Sequence, residues 1–127
     1  MKFKYKEVKT LEERKKEYNK VIEEHPRKIG IICEKAPKSK IADIEKTKYL
    51  INEELNLTQF TKIIRNKLEM DEKEALFFLV NGKTSLTGDS TMLEIYKKYK
   101  DEDGFLYIAY AAEEVWGNNN KLKIIEK

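Results

Sequence analysis

The apolar run from Phe105 to Ala111 constrains the fold more than any other stretch of the sequence. It is rich in aromatic and β-branched residues, contains no Gly or Pro, and is apolar at every position, which predicts a strand buried on both faces. A second run, residues 28–35, also carries isoleucine on both faces, with Ile31 on one and Ile32 on the other. We therefore expect these two strands at the centre of a sheet that is covered on both sides.

Three capping boxes mark helix starts, because in each a polar residue is followed three positions later by Glu or Gln. They are Thr10 with Glu13, Asn56 with Gln59, and Thr91 with Glu94. Residues 1–25 are predicted to form two short helices that end before Pro26. The strongest helix pattern is an apolar face running from Leu57 to Leu68.

Two further strands complete the order of elements. Residues 48–51 form a short strand that we expect to pair antiparallel with residues 28–35, and residues 76–80 form another. Asn81-Gly82 follows directly and is the residue pair favoured by a type I′ hairpin turn. Two helices followed by β-β-α-β-α-β predict a single domain of the α+β class.

Composition narrows the classes of function. The net charge of +3 is too small to imply nucleic-acid binding by itself. The chain has 1 cysteine, which excludes an internal disulfide and suits a reducing compartment. With no signal peptide and no apolar stretch of about 20 residues, we expect a cytosolic or nuclear protein.

Residues for catalysis or metal binding are scarce. His25 lies where a helix ends and Cys33 lies in a predicted buried strand, so neither is expected to act as base or nucleophile. One His and one Cys are too few for a zinc site, and no phosphate-binding loop is present. Paired carboxylates such as Glu113-Glu114 are interpreted as solvated surface. We predict no enzymatic activity, no cofactor and no metal.

Several separated motifs, in order, resemble the autophagy ubiquitin-like modifiers of the GABARAP and light-chain-3 family, and the GABARAP branch most. The resemblance spans residues 1–117 and is carried by Met1-Lys-Phe-Lys-Tyr-Lys-Glu7, Glu34-Lys-Ala-Pro37, Lys46-Thr-Lys-Tyr-Leu50, Ala75-Leu-Phe-Phe78, Asp103-Gly-Phe-Leu-Tyr-Ile-Ala-Tyr110 and the ending Trp116-Gly117.

The resemblance implies a ubiquitin-like β-grasp fold with two additional N-terminal helices. The helical extension would be residues 1–25, the core 26–112, a C-terminal arm 113–117 and a removable tail 118–127. A cysteine protease would cut between Gly117 and Asn118, with Trp116 as a neighbouring anchor. Activating and conjugating enzymes would then transfer the freed carboxylate to phosphatidylethanolamine. Glycine suits this position because a backbone without Cβ fits narrow enzyme clefts.

The resemblance also implies a groove for receptors with an aromatic-x-x-aliphatic motif flanked by acids, along an open strand edge at residues 48–51. The aromatic pocket corresponds to Glu17, Val21, Ile32, Lys48, Leu50 and Phe105. The aliphatic pocket corresponds to Tyr49, Ile51, Leu55, Phe60 and Ile63, and Lys28 and Lys46 would meet the acids. Leu50 and Ile32 are the favoured members, because their strand neighbours already serve the core. For Phe60 and Ile63, an ordinary core position is an equal alternative.

The leading hypothesis is a lipid-conjugated modifier, cytoplasmic before conjugation and on autophagosomes or other vesicles afterwards. The alternative is an unconjugated β-grasp adaptor that binds peptides or tubulin through its basic N-terminal helices. A nucleic-acid binder is disfavoured, because the basic runs are not interleaved with aromatic residues.

Overall fold

The structure, a computed structural model, describes residues 1–113. The predicted cleavage bond between Gly117 and Asn118, together with Trp116, lies outside the described residues. The elements are α1 (Lys4–Val8), α2 (Leu11–Glu24), β1 (Lys28–Lys35), β2 (Lys48–Asn52), α3 (Leu57–Leu68), β3 (Phe77–Val80), β4 (Thr84–Ser85), α4 (Met92–Tyr99) and β5 (Leu106–Ala111).

The strands form one mixed sheet in the order β2-β1-β5-β3-β4. β5 is central and pairs in parallel with β1, so that Ile31 lies opposite Leu106. β1 pairs antiparallel with β2, and Ile29 lies opposite Ile51. The predicted central position of the two doubly apolar strands is confirmed, as is the position of β2 at one edge of the sheet.

One face of the sheet is covered by α3 and α4. The apolar face of α3 places Phe60 and Ile64 in the main core, where both are fully buried. α4 adds Met92 and Ile95 to the same cluster. The capping boxes predicted for these two helices are both formed, with the side-chain and backbone hydrogen bonds in place.

The opposite face is covered by α1 and α2. Successive residues of a strand point to opposite faces, so Ile31 joins the main core while Ile32 joins a second cluster. We call this the second cluster throughout; its buried members are Phe3, Ile32, Phe105, Tyr107 and Ala109. The predicted α+β fold, a ubiquitin-like β-grasp with two additional N-terminal helices, is confirmed.

The predicted order of elements lacks one strand, which lies in the hairpin after β3. Asn81 and Gly82 have φ values of 57° and 69°, and Lys83 N–H donates to Val80 O at 3.0 Å, as a type I′ turn requires. The turn leads into β4, which the sequence did not reveal because two polar residues carry no strand pattern.

Within residues 1–113, none of the helices combines the length and apolar composition required to cross a bilayer.

Candidate functional site

The edge strand β2 presents two different sets of side chains. Tyr49 and Ile51 point into the main core, at 5 % and 4 % exposure, whereas Lys48 and Leu50 are partly exposed on the other face. β1 pairs with only one side of β2, which is the last strand of the sheet at this end. Among residues 1–113, no strand pairs with the outer backbone of β2, which leaves this edge open to an added strand.

A cavity of about 360 Å³ lies beside this edge, between α2 and β2. Its lining is Val21, Lys46, Thr47, Lys48, Tyr49, Leu50 and Phe105. Four of the six residues predicted for the aromatic pocket thus line this cavity. Lys46, which was predicted to contact the acidic flank of a peptide, lines it as well. The cavity combines an apolar wall with two ammonium groups at its mouth.

Ile32 occupies a different place from the one expected. Its strand neighbours Ile31 and Cys33 do serve the main core, but Ile32 is itself fully buried in the second cluster with Phe105. The N-terminal helices cover this part of the sheet. Ile32 therefore supports the pocket from beneath and does not line its accessible surface.

Glu17, the sixth predicted member, controls the charge at the mouth of the cavity. Its carboxylate accepts a hydrogen bond from Lys9 Nζ at 2.6 Å and forms an ion pair with Lys48. Both ammonium groups also lie over the Tyr5 ring, at 5.6 Å and 5.2 Å from its centroid. Desolvation, with the nearby charge of Lys9, lowers the pKa of Lys48. Lys9 and Tyr5 were not expected here, because spacing along a helix does not indicate which charges converge.

The predicted aliphatic pocket is divided between core and surface. Leu55 and Ile63 are partly exposed and pack against the edge of the main core. Tyr49, Ile51 and Phe60 lie within that core, so a bound side chain would rest on Leu55 and Ile63. Lys28 is exposed at the start of β1, opposite Asn52.

The sequence matches the model of the family described as "Autophagy protein Atg8 ubiquitin like" over residues 13–117. This match covers most of the chain. The protein belongs to the Atg8 family. It is thus an autophagy ubiquitin-like modifier by family, which confirms that part of the predicted function. Assignment to the GABARAP branch is finer than the match and stays a prediction.

A solved structure agrees with the family assignment. The crystal structure of Trypanosoma brucei ATG8 superimposes with a TM-score of 0.83 at 40 % sequence identity, covering 87 % of this chain and 95 % of that chain.

In this Atg8-family protein, Phe105 is held in place by two glycines and a tyrosine. A Cβ on Gly30 would lie 2.9 Å from the Phe105 ring, so a larger residue would have to displace it. Gly104 has φ +102° and a Cβ there would lie 2.3 Å from the ring of Tyr18, so this position requires glycine on both counts. Tyr18 packs edge-on against Phe105, with ring centroids 5.2 Å apart, and shares a 2.5 Å hydrogen bond with the Tyr96 hydroxyl.

A buried ionic network beneath the groove joins α2 to β5. Arg14 Nε donates to Asp103 at 2.8 Å, and the Tyr107 hydroxyl donates to the same carboxylate at 2.5 Å. The other Asp103 oxygen accepts from Phe105 N–H at 2.7 Å. Burial raises the pKa of Tyr107, and the hydrogen bond from its hydroxyl to Asp103 is the second cause. The network was missed because Arg14 lies in the charged run of residues 12–17, a pattern typical of solvated surface.

The cysteine of the described part is not accessible to a substrate. Cys33 is fully buried, and burial raises the pKa of its thiol, followed in size by the effect of Glu34. Among residues 1–113, no group of three or more His, Cys, Asp and Glu side chains is placed to hold a metal ion.

Proposed function

We propose that this Atg8-family protein is processed at Gly117, conjugated to phosphatidylethanolamine on autophagic membranes, and recruits receptors through the groove beside β2. The observation that carries the receptor-binding part is the open edge of β2 next to a cavity with an apolar wall and lysines at its mouth. This combination fits an extended peptide that bears an aromatic side chain and acidic residues.

The bound peptide adds to the sheet as a strand along β2. Its aromatic side chain enters the cavity and contacts Val21, Leu50 and Phe105. Its acidic flank meets Lys46 and Lys48, and displaces the Glu17 carboxylate from Lys48. The new charge pair at Lys48 replaces the existing pair with Glu17, so we expect it to contribute more to specificity and association rate than to affinity.

The aliphatic residue of the motif lies three positions after the aromatic one, so on an extended strand the two side chains point to opposite faces. The aliphatic side chain rests on the partly exposed side chains of Leu55 and Ile63. Phe60 and Ile51 support these from the core.

The C-terminal reaction uses the protein as a substrate. A cysteine protease hydrolyses the bond between Gly117 and Asn118, which releases residues 118–127 and frees the Gly117 carboxylate. An activating enzyme adenylates this carboxylate with ATP and releases pyrophosphate. An enzyme thiol then displaces AMP to form a thioester, which is passed to the conjugating enzyme, and the amine of phosphatidylethanolamine displaces that thiol to give an amide. The family match supports this proposal because it extends to Gly117 and no further.

Conjugation supplies the membrane anchor. The two acyl chains of phosphatidylethanolamine give stable attachment, whereas a single chain gives marginal attachment. The protein is cytoplasmic before this step and on the autophagosome or another vesicle after it.

Incubation of the full chain with an Atg8-processing cysteine protease, followed by intact mass measurement, tests the C-terminal reaction. We expect the wild-type chain to lose the mass of residues 118–127. We expect Gly117→Pro to keep it, because proline fixes the backbone φ angle at the cleavage site and removes its N–H. Retention of the tail, with no lipid adduct on Gly117 in a cell extract, contradicts the proposal. Tubulin co-sedimentation by the uncut chain then favours the adaptor alternative.

Fluorescence titration with an acidic aromatic-x-x-aliphatic peptide tests the groove. Lys48→Ala and Leu50→Ala each remove part of the cavity lining, and we expect each to weaken binding by about tenfold or more, as for interface residues of high contribution. Lys97→Ala, an exposed lysine of α4, is the matched control. Equal affinity of all variants shows that the peptide binds elsewhere.

A further inference from the structure

The end of β5 is fastened to the loop between β1 and β2, which comprises residues 36–47. Ala36 N–H donates to Tyr110 O at 2.8 Å. The Tyr110 hydroxyl accepts from Ile44 N–H at 2.7 Å and donates to Ala42 O at 3.0 Å. These bonds hold the loop against the last residues of the sheet, at the point where the C-terminal arm begins.

Glu113 continues this attachment beyond the last strand. Its carboxylate accepts a hydrogen bond from the Ser39 hydroxyl at 2.5 Å and one from Lys40 N–H at 2.9 Å. Ser39 Oγ in turn accepts from Ala112 N–H at 3.2 Å. Ser39 is only 5 % exposed although it lies in a polar loop, so its hydroxyl is enclosed by these partners.

Glu113 is therefore not the solvated surface residue that its charged neighbourhood suggested. The hydrogen bonds from Ser39 and Lys40, in that order, lower the pKa of Glu113. Its carboxylate is ionised when it accepts them, and hydrogen bonds to an ionised acceptor are about twice as strong as neutral ones. The two ends of the attachment are more than seventy positions apart in the sequence.

We propose that Ser39 and Glu113 form a clamp that fixes where the C-terminal arm leaves the domain, and that this clamp presents Gly117 to the enzymes that process and conjugate it. The inference rests on the proposed function at Gly117. Ser39 and Glu113 are positioning residues, since neither belongs to the bond that is cut.

Chain geometry explains why such a clamp matters. A fully extended chain spans at most about 3.6 Å per residue, so a residue four positions beyond a fixed one can be no more than roughly 14 Å from it. If Glu113 is released, the nearest fixed point moves back towards β5 and the volume open to the glycine increases. An enzyme that binds the released arm has to order it, and that cost weakens binding.

The first test uses the 1 Trp of the chain, Trp116, as a native probe of the arm. We expect Ser39→Ala and Glu113→Gln to lower its steady-state fluorescence anisotropy, and Ser39→Thr, which keeps the hydroxyl, to preserve it. Thr91→Ala, which removes the capping hydrogen bond of α4, controls for lost stability. An equal fall in Thr91→Ala, or no fall in Ser39→Ala, overturns the clamp.

The second test measures steady-state cleavage of the full chain by an Atg8-processing protease. We expect Ser39→Ala and Glu113→Gln to lower kcat/KM by about tenfold, less than the roughly hundredfold loss caused by a misplacement of about 1 Å within a catalytic site. The loss appears in KM, because ordering the arm affects the bound substrate and the transition state equally. Glu45→Gln, an exposed carboxylate of the same loop, is the control.

The outcomes separate the clamp from the proposed function. Normal kcat/KM in both clamp variants overturns the positioning role while processing at Gly117 stands. Absence of cleavage in the wild-type chain contradicts processing, and with it the proposal that the clamp presents Gly117 to the enzymes. The anisotropy comparison still decides in that case whether Ser39 and Glu113 hold the arm.

Discussion

The two faces of the sheet are stabilised in different ways. The face under α3 and α4 is a continuous apolar core around Phe60 and Ile64, both fully buried. The face under α1 and α2 is smaller, largely aromatic, and tied down by the buried ionic network of Arg14, Asp103 and Tyr107. Hydrophobic burial dominates on the first face, and directional polar contacts supplement it on the second.

This difference indicates a division of roles. A large apolar cluster gains free energy in proportion to the area it buries, without requiring a particular orientation. A hydrogen-bonded ion pair fixes orientation, and here it locates Phe105 and α2 on the two sides of the cavity. We infer that the first face determines whether the domain folds, and that the second determines the shape of the groove.

The largest expected effect comes from truncation in the main core. Phe60→Ala should lower the free energy of unfolding by about 3–5 kcal/mol, the usual cost of removing a buried phenyl ring. Phe3→Ala, at 5 % exposure on the other face, is the comparison. We expect Phe60→Ala to reduce hydrogen-exchange protection throughout the sheet, and Phe3→Ala to reduce it mainly in α1 and α2. Equal patterns for the two variants would remove the distinction between the faces.

The next effect concerns the ionic network. Asp103→Asn leaves Arg14 buried without a counterion, and should cost about 3 kcal/mol, at the low end for breaking a buried pair because Asn still accepts from Phe105 N–H. The double variant Arg14→Met with Asp103→Asn removes both charges. Urea unfolding should show that it loses less stability than the sum of the single variants, with a coupling of about 1–3 kcal/mol.

An exposed ion pair serves as the control for this cycle. Lys6 Nζ and Asp101 are 2.5 Å apart, and their side chains are 38 % and 14 % exposed, compared with 10 % and 0 % for Arg14 and Asp103. Surface pairs of this kind contribute about 0–1 kcal/mol. A coupling for Lys6 and Asp101 as large as that for Arg14 and Asp103 would show that burial does not distinguish the two pairs.

The smallest effect is a loss of stability in alkali, to which both faces contribute. Desolvation, then the charge of Asp103, raises the pKa of Tyr5 to about 12, and desolvation, then Cys33, raises that of Tyr49 to about 12. The unfolded chain therefore releases these protons at lower pH. Stability is complete below the unfolded value of 10.0 and falls as the pH rises towards about 12.

Urea unfolding at a series of alkaline pH values measures this loss. Tyr5→Phe removes one titrating group on the second face, and Tyr49→Phe removes one on the first. Each variant should make the fall of the unfolding free energy with rising pH less steep. A decline that is equally steep in both variants would assign it to other groups.

Local sequence patterns predicted the elements well where the physics is local. The three capping boxes were confirmed because each depends on residues three positions apart. The two-residue strand β4 was missed because Thr84 and Ser85 are placed by the preceding turn and not by their own composition. The pocket members Val21, Lys48, Leu50 and Phe105, predicted from the family resemblance, do lie around one cavity, although binding there stays a prediction.

The charged residues were the least predictable. Arg14 and Lys9 stand in charged stretches, and Glu113 is paired with Glu114, which are patterns typical of solvated surface. Each of the three nevertheless contacts a residue on another element. A charge reveals its partner only when the chain has folded, since the partner of Arg14 is 89 positions away.

The sequence by itself determined the central strands, the three capped helices and the α+β class, because continuous apolar runs and capping boxes depend on near neighbours. Tertiary structure decided that Ile32 is covered, that Tyr18 packs on Gly104 and that Ser39 binds Glu113. These contacts join segments that are far apart in the chain. They are selected by the shape and polarity of the folded surface, which no local pattern contains.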